Sequence, residues 1–240
     1  MNYYIFNYDP DALGYTPQCT QRQLPLQGKV PLLRTVFPKP GEKYPDDLLM
    51  ETFEVHQRAR LTDMLRFVGG GLRSFLLSEP MYDLLKSFDL CTFQHYATEA
   101  TYRKKTYPYH YLYFWDNNND FVDYEKSSFY VGDTFSKYKK RAIKVLSAKH
   151  FYQLYHENLE RNRIIESSDE EESVLLSELY INPEKANLDL FFIAEMIYVV
   201  VVSERLKDAL EGAGFRGMKF TPANGYKRML FDFETKARLQ

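Results

Sequence analysis

Two stretches of the chain carry one pattern, and that pattern limits the fold more than any other feature. Leu76–Thr98 reads LLSEPMYDLLKSFDLCTFQHYAT, and Val201–Ala223 reads VVSERLKDALEGAGFRGMKFTPA. Ser78, Glu79, Asp83 and Leu85 in the first match Ser203, Glu204, Asp208 and Leu210 in the second. Each stretch predicts a short apolar strand, a serine and a short amphipathic helix. Met81, Leu84, Leu85 and Phe88 make one helical stripe and Leu206, Ala209, Leu210 and Ala213 the other, at the i, i+3, i+4, i+7 spacing of a buried face. Ser78 and Ser203 fall where an N-cap hydroxyl accepts a backbone N–H, and Glu79 and Glu204 place negative charge at the positive end of the helix dipole. Both serines are therefore expected to be structural caps; neither sits in the G-x-S-x-G elbow of a nucleophile.

Two copies are too few for a solenoid, which needs at least three stacked units. The expectation is an α+β fold over residues 1–240, with a mixed or mainly antiparallel sheet, short helices and a duplicated strand, Ser-capped helix, strand unit. One domain, or two pseudo-repeat halves at about 1–135 and 136–240, would both fit. An aromatic share of 16%, with Tyr 20 and Phe 18, favours sheet.

A net charge of -2 argues against a surface built throughout to grip nucleic acid, since that affinity comes mainly from neutralised phosphates. Cys19 and Cys91 alone make neither a disulfide framework nor a four-cysteine metal site, which suits the cytoplasm. The opening MNYYIFNYDPDALGY has no basic region before an apolar run, so it predicts a first strand and turn instead of a signal peptide. Phe191–Val202 is interrupted by Glu195 and falls short of the roughly 20 residues that span a bilayer, so a core segment is expected there.

Pro10–Pro45 is rich in proline and glycine and predicts loops. Asp46–Val68 is expected to be helical in part, with Leu48, Leu49, Phe53, Leu61, Met64 and Leu65 as its apolar set, although Glu51–Val55 alternates like a strand. Gly69, Gly70 and Gly71 precede no Gly-Lys-Ser/Thr and predict a turn, not a phosphate loop. Phe121–Val131 is expected to return as a strand of a hairpin or meander, Ser147 to cap a helix carrying Phe151, Leu154 and Tyr155, and Tyr226–Phe233 to echo the strand that follows the first repeat.

Tyr107–Trp115, YPYHYLYFW, is the segment most suggestive of binding. Along a strand Tyr109, Tyr111, Tyr113 and Trp115 share one face, either as an aromatic platform for a partner or as part of a strand buried on both sides with its phenols hydrogen-bonded at the rim. A second candidate surface is the acidic run of Asp169, Glu170, Glu171 and Glu172, preceded by the basic segment Lys137–Lys149. These are two solvated faces, or an acidic loop that mimics phosphate in the groove of a basic target.

No catalytic or metal-ligating set stands out. His150 and His156 are six apart, off the helical spacing that would let them share a metal, and His56, His95 and His110 are isolated in sequence. Cys91 has apolar neighbours and reads as a buried structural thiol. Neither a cofactor nor a metal is expected.

Asp189–Ala223, DLFFIAEMIYVVVVSERLKDALEGAGFRGMKFTPA, resembles the C-terminal signature of the bacterial polymorphic-toxin immunity proteins typified by a Myxococcus immunity domain. The matching features are an Asp-Leu-Phe lead-in, an apolar strand, Val-Ser-Glu-Arg-Leu-Lys, a leucine-bearing helix, Gly-Phe-Arg-Gly and a Phe-Thr-Pro exit. FVDYEKSSFYV, from Phe121, is similar to a segment of larger members. The resemblance implies a cytoplasmic α+β protein that binds and blocks a cognate toxin domain without catalytic residues of its own; the acidic run adds the expectation of a basic toxin such as a nuclease. An enzyme whose site assembles only in the fold, and a nucleic-acid-binding module using Lys137–Lys149, stay open as alternatives.

Overall fold

Runs of β-branched and aromatic residues between turn residues make strand the commonest state of the chain. The computed structural model of the protein describes residues 2–15, 18–21, 38, 41–68, 73–133, 139–164, 172–193, 199–227, 230–231 and 238–239. The chain begins with β1 (Tyr3–Tyr8), helix α1 (Pro10–Leu13), β2 (Cys19–Gln21), β3 (Phe53–Val55), β4 (Met64–Leu65) and β5 (Phe67–Val68). There follow β6 (Ser74–Ser78), α2 (Glu79–Leu85), β7 (Phe93–Tyr102), β8 (Lys105–Phe114), β9 (Ser128–Asp133) and β10 (Lys139–Ile143). Next come α3 (Ala148–Ile164), β11 (Glu172–Leu179), β12 (Leu190–Ile193), β13 (Val199–Ser203), α4 (Glu204–Gly212), β14 (Met218–Pro222) and β15 (Tyr226–Lys227). The fold is α+β, and its sheets are mostly antiparallel.

Among the described residues a seven-stranded sheet runs β4-β6-β8-β7-β3-β2-β5, and two four-stranded sheets run β12-β13-β1-β14 and β10-β9-β11-β15. Asp46–Val68 holds no helix: the alternation around Phe53 prevails, because Phe53 and Val55 point into the core while Glu54 points out. β9 pairs with β10 and β11 and not with β8, so Phe121–Val131 does not fold back on the tyrosine strand as a hairpin.

The two repeat segments fold alike. Met64 faces Leu77 in the hairpin of β4 with β6, and Leu190 faces Val202 in that of β12 with β13. Ser78 then faces Tyr109 of β8, and Ser203 faces Tyr3 of β1. The outer strands close in the same register, His95 of β7 opposite Leu112 and Phe220 of β14 opposite Phe6. In the second unit, then, the place of β8 is filled by β1, not by Tyr226–Phe233; β15, in that stretch, pairs with β11. Since β1 completes a sheet of C-terminal strands, a boundary near residue 135 does not follow the sheets.

Helices α2 and α4 lie against their own strands with Met81, Leu85, Leu206 and Leu210 fully buried in one shared core. Burying each such side chain stabilises the fold by about 2 kcal/mol. The other face of β8 meets a second core, where Tyr109, Tyr111 and Tyr113 pack with Tyr44, Phe53 and Val55.

Candidate functional site

The serines anchor a lock that is built twice. The Ser78 amide donates to the Asp63 carbonyl at 2.7 Å and its hydroxyl to Asp63 Oδ1 at 3.0 Å. In the second unit the Ser203 amide donates to the Asp189 carbonyl at 2.8 Å and its hydroxyl to Asp189 Oδ1 at 2.6 Å. Each carboxylate uses its other oxygen across the interface between units: Asp63 Oδ2 accepts the Arg216 amide at 2.9 Å, and Asp189 Oδ2 accepts the Asp89 amide at 3.0 Å. Ser203 is also a true cap, accepting the Leu206 amide at 3.2 Å. Ser78 occupies the N-cap position of α2 but its side chain makes no capping bond; its hydroxyl is committed to Asp63. Capping explains one serine, and anchoring a carboxylate explains both.

Arg205 adds a charge to the second lock, donating from Nε to Asp189 Oδ1 at 3.2 Å and from Nη2 to Oδ2. Burial alone would raise the Asp189 pKa, but the bonds from Arg205, Ser203 and the Asp89 amide outweigh it and hold the carboxyl below the usual carboxylate range. Gly217, beside this junction, has φ +97°, and a Cβ there would come within 2.7 Å of Thr62 Oγ1. The position demands glycine.

The tyrosine strand is not a contact surface. Tyr109, Tyr111 and Tyr113 are 3%, 0% and 3% exposed, so no partner reaches their rings without opening the core. Their hydroxyls are engaged too: Tyr109 donates to the Thr62 carbonyl at 2.6 Å, Tyr113 to that of Glu42 at 3.2 Å, and Tyr111 lies 3.4 Å from the Tyr44 hydroxyl. Trp115 is half-buried, with Lys43 Nζ 4.9 Å from its ring centre. Of the acidic run, Asp169, Glu170 and Glu171 lie outside the described residues, and Glu172 opens β11 opposite Asp133. Lys137 also lies outside them, whereas Lys144 and Lys149 are exposed.

Two histidines isolated in sequence meet in space. His95 Nε2 and His110 Nδ1 are 2.7 Å apart, so one carries the proton and the other accepts it. The Tyr82 ring of α2 stacks on both, with centroids 4.4 Å and 4.3 Å away. Burial lowers both pKa values; at His95 the neighbouring His110 adds to this, while at His110 Glu79 and Asp83 oppose it. Between these two nitrogens the pair shares one proton, and the lowered pKa values favour the neutral rings. Its signal was the register of the hairpin, which puts both imidazoles on the α2 side of β7 and β8, and register is not visible from either histidine alone.

A cleft of about 760 Å³ lies at the far end of the same sheet, lined by Tyr15, Thr20, Glu54, Val55, His56 and Arg58. Tyr15 and His56 stack there at 4.0 Å, and His56 Nδ1 accepts the Arg58 amide at 3.2 Å. Among the described residues no group of three His, Cys, Asp or Glu side chains is placed to hold a metal ion. Cys19 and Cys91 are buried free thiols whose pKa values burial pushes up, which makes them poor nucleophiles. No helix of the described residues is long and apolar enough to cross a membrane.

No family model matches the chain, and no curated protein is significantly similar to it.

Proposed function

We propose that this protein is an inhibitory binding protein of the immunity type, acting in the cytoplasm, that blocks a cognate toxin domain by surface complementarity. The observation that carries the reading is the Asp189–Ala223 pattern, because its distinctive residues all have work in the fold. Asp189, Ser203 and Arg205 form the charged lock, Leu206 and Leu210 fill the core, and Gly217 makes the close approach to Thr62. A frame tied together this way also suits an inhibitor, which loses least on binding when its surface is already ordered.

Such an inhibitor would bury roughly 1,200–2,000 Å² in total with its target. Co-expression with the toxic domain encoded beside this gene tests the reading, by cell survival and by co-purification of the pair. Survival with a stable complex is the expected result; death of the cells and no complex overturns it.

A second reading, an acid–base enzyme, draws on the proton shared by His95 and His110 under Tyr82. Under that reading, replacing either histidine by glutamine abolishes a turnover reaction while leaving toxin protection unaffected.

A further inference from the structure

The β7–β8 hairpin is longer than its counterpart in the second unit. The pairing of β1 with β14 stops at Tyr4 opposite Pro222, whereas β7 and β8 stay paired as far as Tyr102 opposite Lys105. The extra length ends in a two-residue turn, Arg103 and Lys104, with φ values of 50° and 68°. Positive φ at both central positions marks a type I′ hairpin turn, the form that Asn-Gly adopts with least strain. Here two long cations bear it instead.

Their side chains face solvent. Arg103, Lys104 and Lys105 are all exposed, and none is paired with a described carboxylate. By contrast Lys86, Lys126 and Lys207 each hold an acidic side chain within their own segment. The Arg103 guanidinium lies over the Tyr102 ring at 4.9 Å, and the Tyr102 hydroxyl donates to the Ala59 carbonyl at 2.9 Å. That bond ties the tip to the turn from His56 to Ala59, which carries the exposed Arg58. Three cations on the hairpin tip and Arg58 on the turn tied to it therefore share one end of the sheet. The carboxylates of the same strands, Glu54 opposite Thr101 and Glu99 opposite Pro108, lie further back from the tip.

We propose that this tip, Tyr102–Lys105 with Arg58 beside it, docks into a carboxylate-lined recess on a partner protein. The hairpin accounts for the left-handed backbone but not for Arg and Lys in place of Asn and Gly, and residues that bear backbone strain gather where a surface is used. The partner is protein and not nucleic acid because four cations neutralise few phosphates, and a net charge of -2 over the whole chain repels the rest of a polyanion. An acidic recess need only meet the tip, and the tip's charge speeds the encounter. The inference rests on the inhibitory reading for the identity of the partner, the toxin domain, and on charge and geometry for the site.

The variant Arg103→Asn with Lys104→Gly removes two cations and gives the turn its preferred residues, so weaker binding cannot be put down to misfolding. Arg58→Glu with Lys105→Glu reverses the other two. A ten-residue oligo-glutamate peptide, and single-stranded and duplex DNA of matched charge, serve as probes at low salt, followed by amide NMR shifts. The expected result is that oligo-glutamate moves the signals of Tyr102–Lys105 and Arg58, and that each double variant weakens it about tenfold, an effect that fades as salt screens the charges. The toxin domain encoded beside the gene should lose affinity by a similar factor. A toxin complex that forms equally well with both variants overturns the docking site and leaves the inhibitory reading standing. A wild-type chain that ignores the toxin but seats oligo-glutamate at the tip does the reverse. Tighter binding of either DNA than of oligo-glutamate at these residues overturns the choice of a protein partner.

Discussion

The two strand, serine, helix, strand units share a backbone plan and differ in what holds it and what extends from it. In the first, the carboxylate of Asp63 is met by a hydroxyl and an amide, both neutral. In the second, Asp189 is met by the same two kinds of donor and by Arg205, whose matching residue in the first unit is Pro80. On the outer face Tyr82 stacks on His95 and His110, whereas the matching Lys207 lies 5.1 Å over Tyr4 and pairs with Glu211. The second unit is closed by charge, while the first holds a titratable pair and a projecting arm. One geometry thus serves as frame in one place and as carrier of exposed chemistry in the other.

The sharpest way to break the comparison is Gly217→Ala. Its counterpart Thr92 is exposed, and its side chain makes one long hydrogen bond, 3.3 Å to Asp116, but Gly217 has both a left-handed φ and no room for a Cβ. Urea unfolding should show a loss of about 4 kcal/mol for Gly217→Ala and almost none for Thr92→Ala. A small loss at Gly217 would mean that the two units sit less tightly together.

Next in size is the contrast between the carboxylates. Asp189→Ala and Asp63→Ala each strand a serine hydroxyl and a backbone amide and should cost about 1–3 kcal/mol, Asp189→Ala somewhat more because it also gives up the bonds from Arg205, whose side chain is largely in solvent. Equal costs would show that Arg205 contributes nothing. Because the folded pKa of Asp189 is depressed, its contribution is complete above the unfolded carboxylate value and is lost as pH falls through the folded one, so the difference between wild type and Asp189→Ala should narrow below about pH 4.

The histidine pair gives a smaller effect, confined to the first unit. Both folded pKa values lie below the ordinary 6.5, so the neutral pair is favoured by folding. Its stabilisation is present above that value and is lost as the pH falls below it, through the depressed pKa values. Stability should therefore fall as the pH is lowered from 7 to 5. The double change His95→Phe with His110→Tyr, which installs the second unit's Phe220 and Tyr4 in the first, should flatten that drop. If it persists, other groups titrate there.

Least in size is the arm. Arg103→Asn with Lys104→Gly should raise stability by about 0.5–1 kcal/mol, because the turn no longer holds side chains in the left-handed region. No change in thermal midpoint would mean that the hairpin bears the turn without strain.

The parts of the fold legible in the sequence were local. The apolar run, serine and i, i+3, i+4 stripe placed α2 and α4 well because a helix is written in neighbours, and Leu206 and Leu210 could be named as core from spacing alone. The buried alternative for the tyrosine strand was legible as a possibility, but burial was settled by Tyr44, from a proline-rich stretch with no periodicity of its own, and by Phe53 and Val55, whose short alternation says nothing of which strand they cover. The candidate sites were harder still. Asp63 and Asp189 look like any other aspartates until Ser78 and Ser203 fold over them, and His95 meets His110 only once the turn at Arg103 fixes the register.

The position of β1 also sets an order of events. In the first unit, β6, α2, β7 and β8 follow one another without interruption, so its sheet and helix close on contacts between near neighbours in the chain. The second cannot close that way, because Tyr3 must find Ser203 and Tyr4 must find Pro222 across nearly the whole length of the polypeptide. Contacts that close long loops form late. As the chain is made, β6, α2, β7 and β8 are all present before β13 and β14, and until β1 pairs with them β13 and β14 flank an open slot. That slot is an unpaired sheet edge in an almost finished protein, and filling it is the step at which a stray strand from another chain would compete with β1.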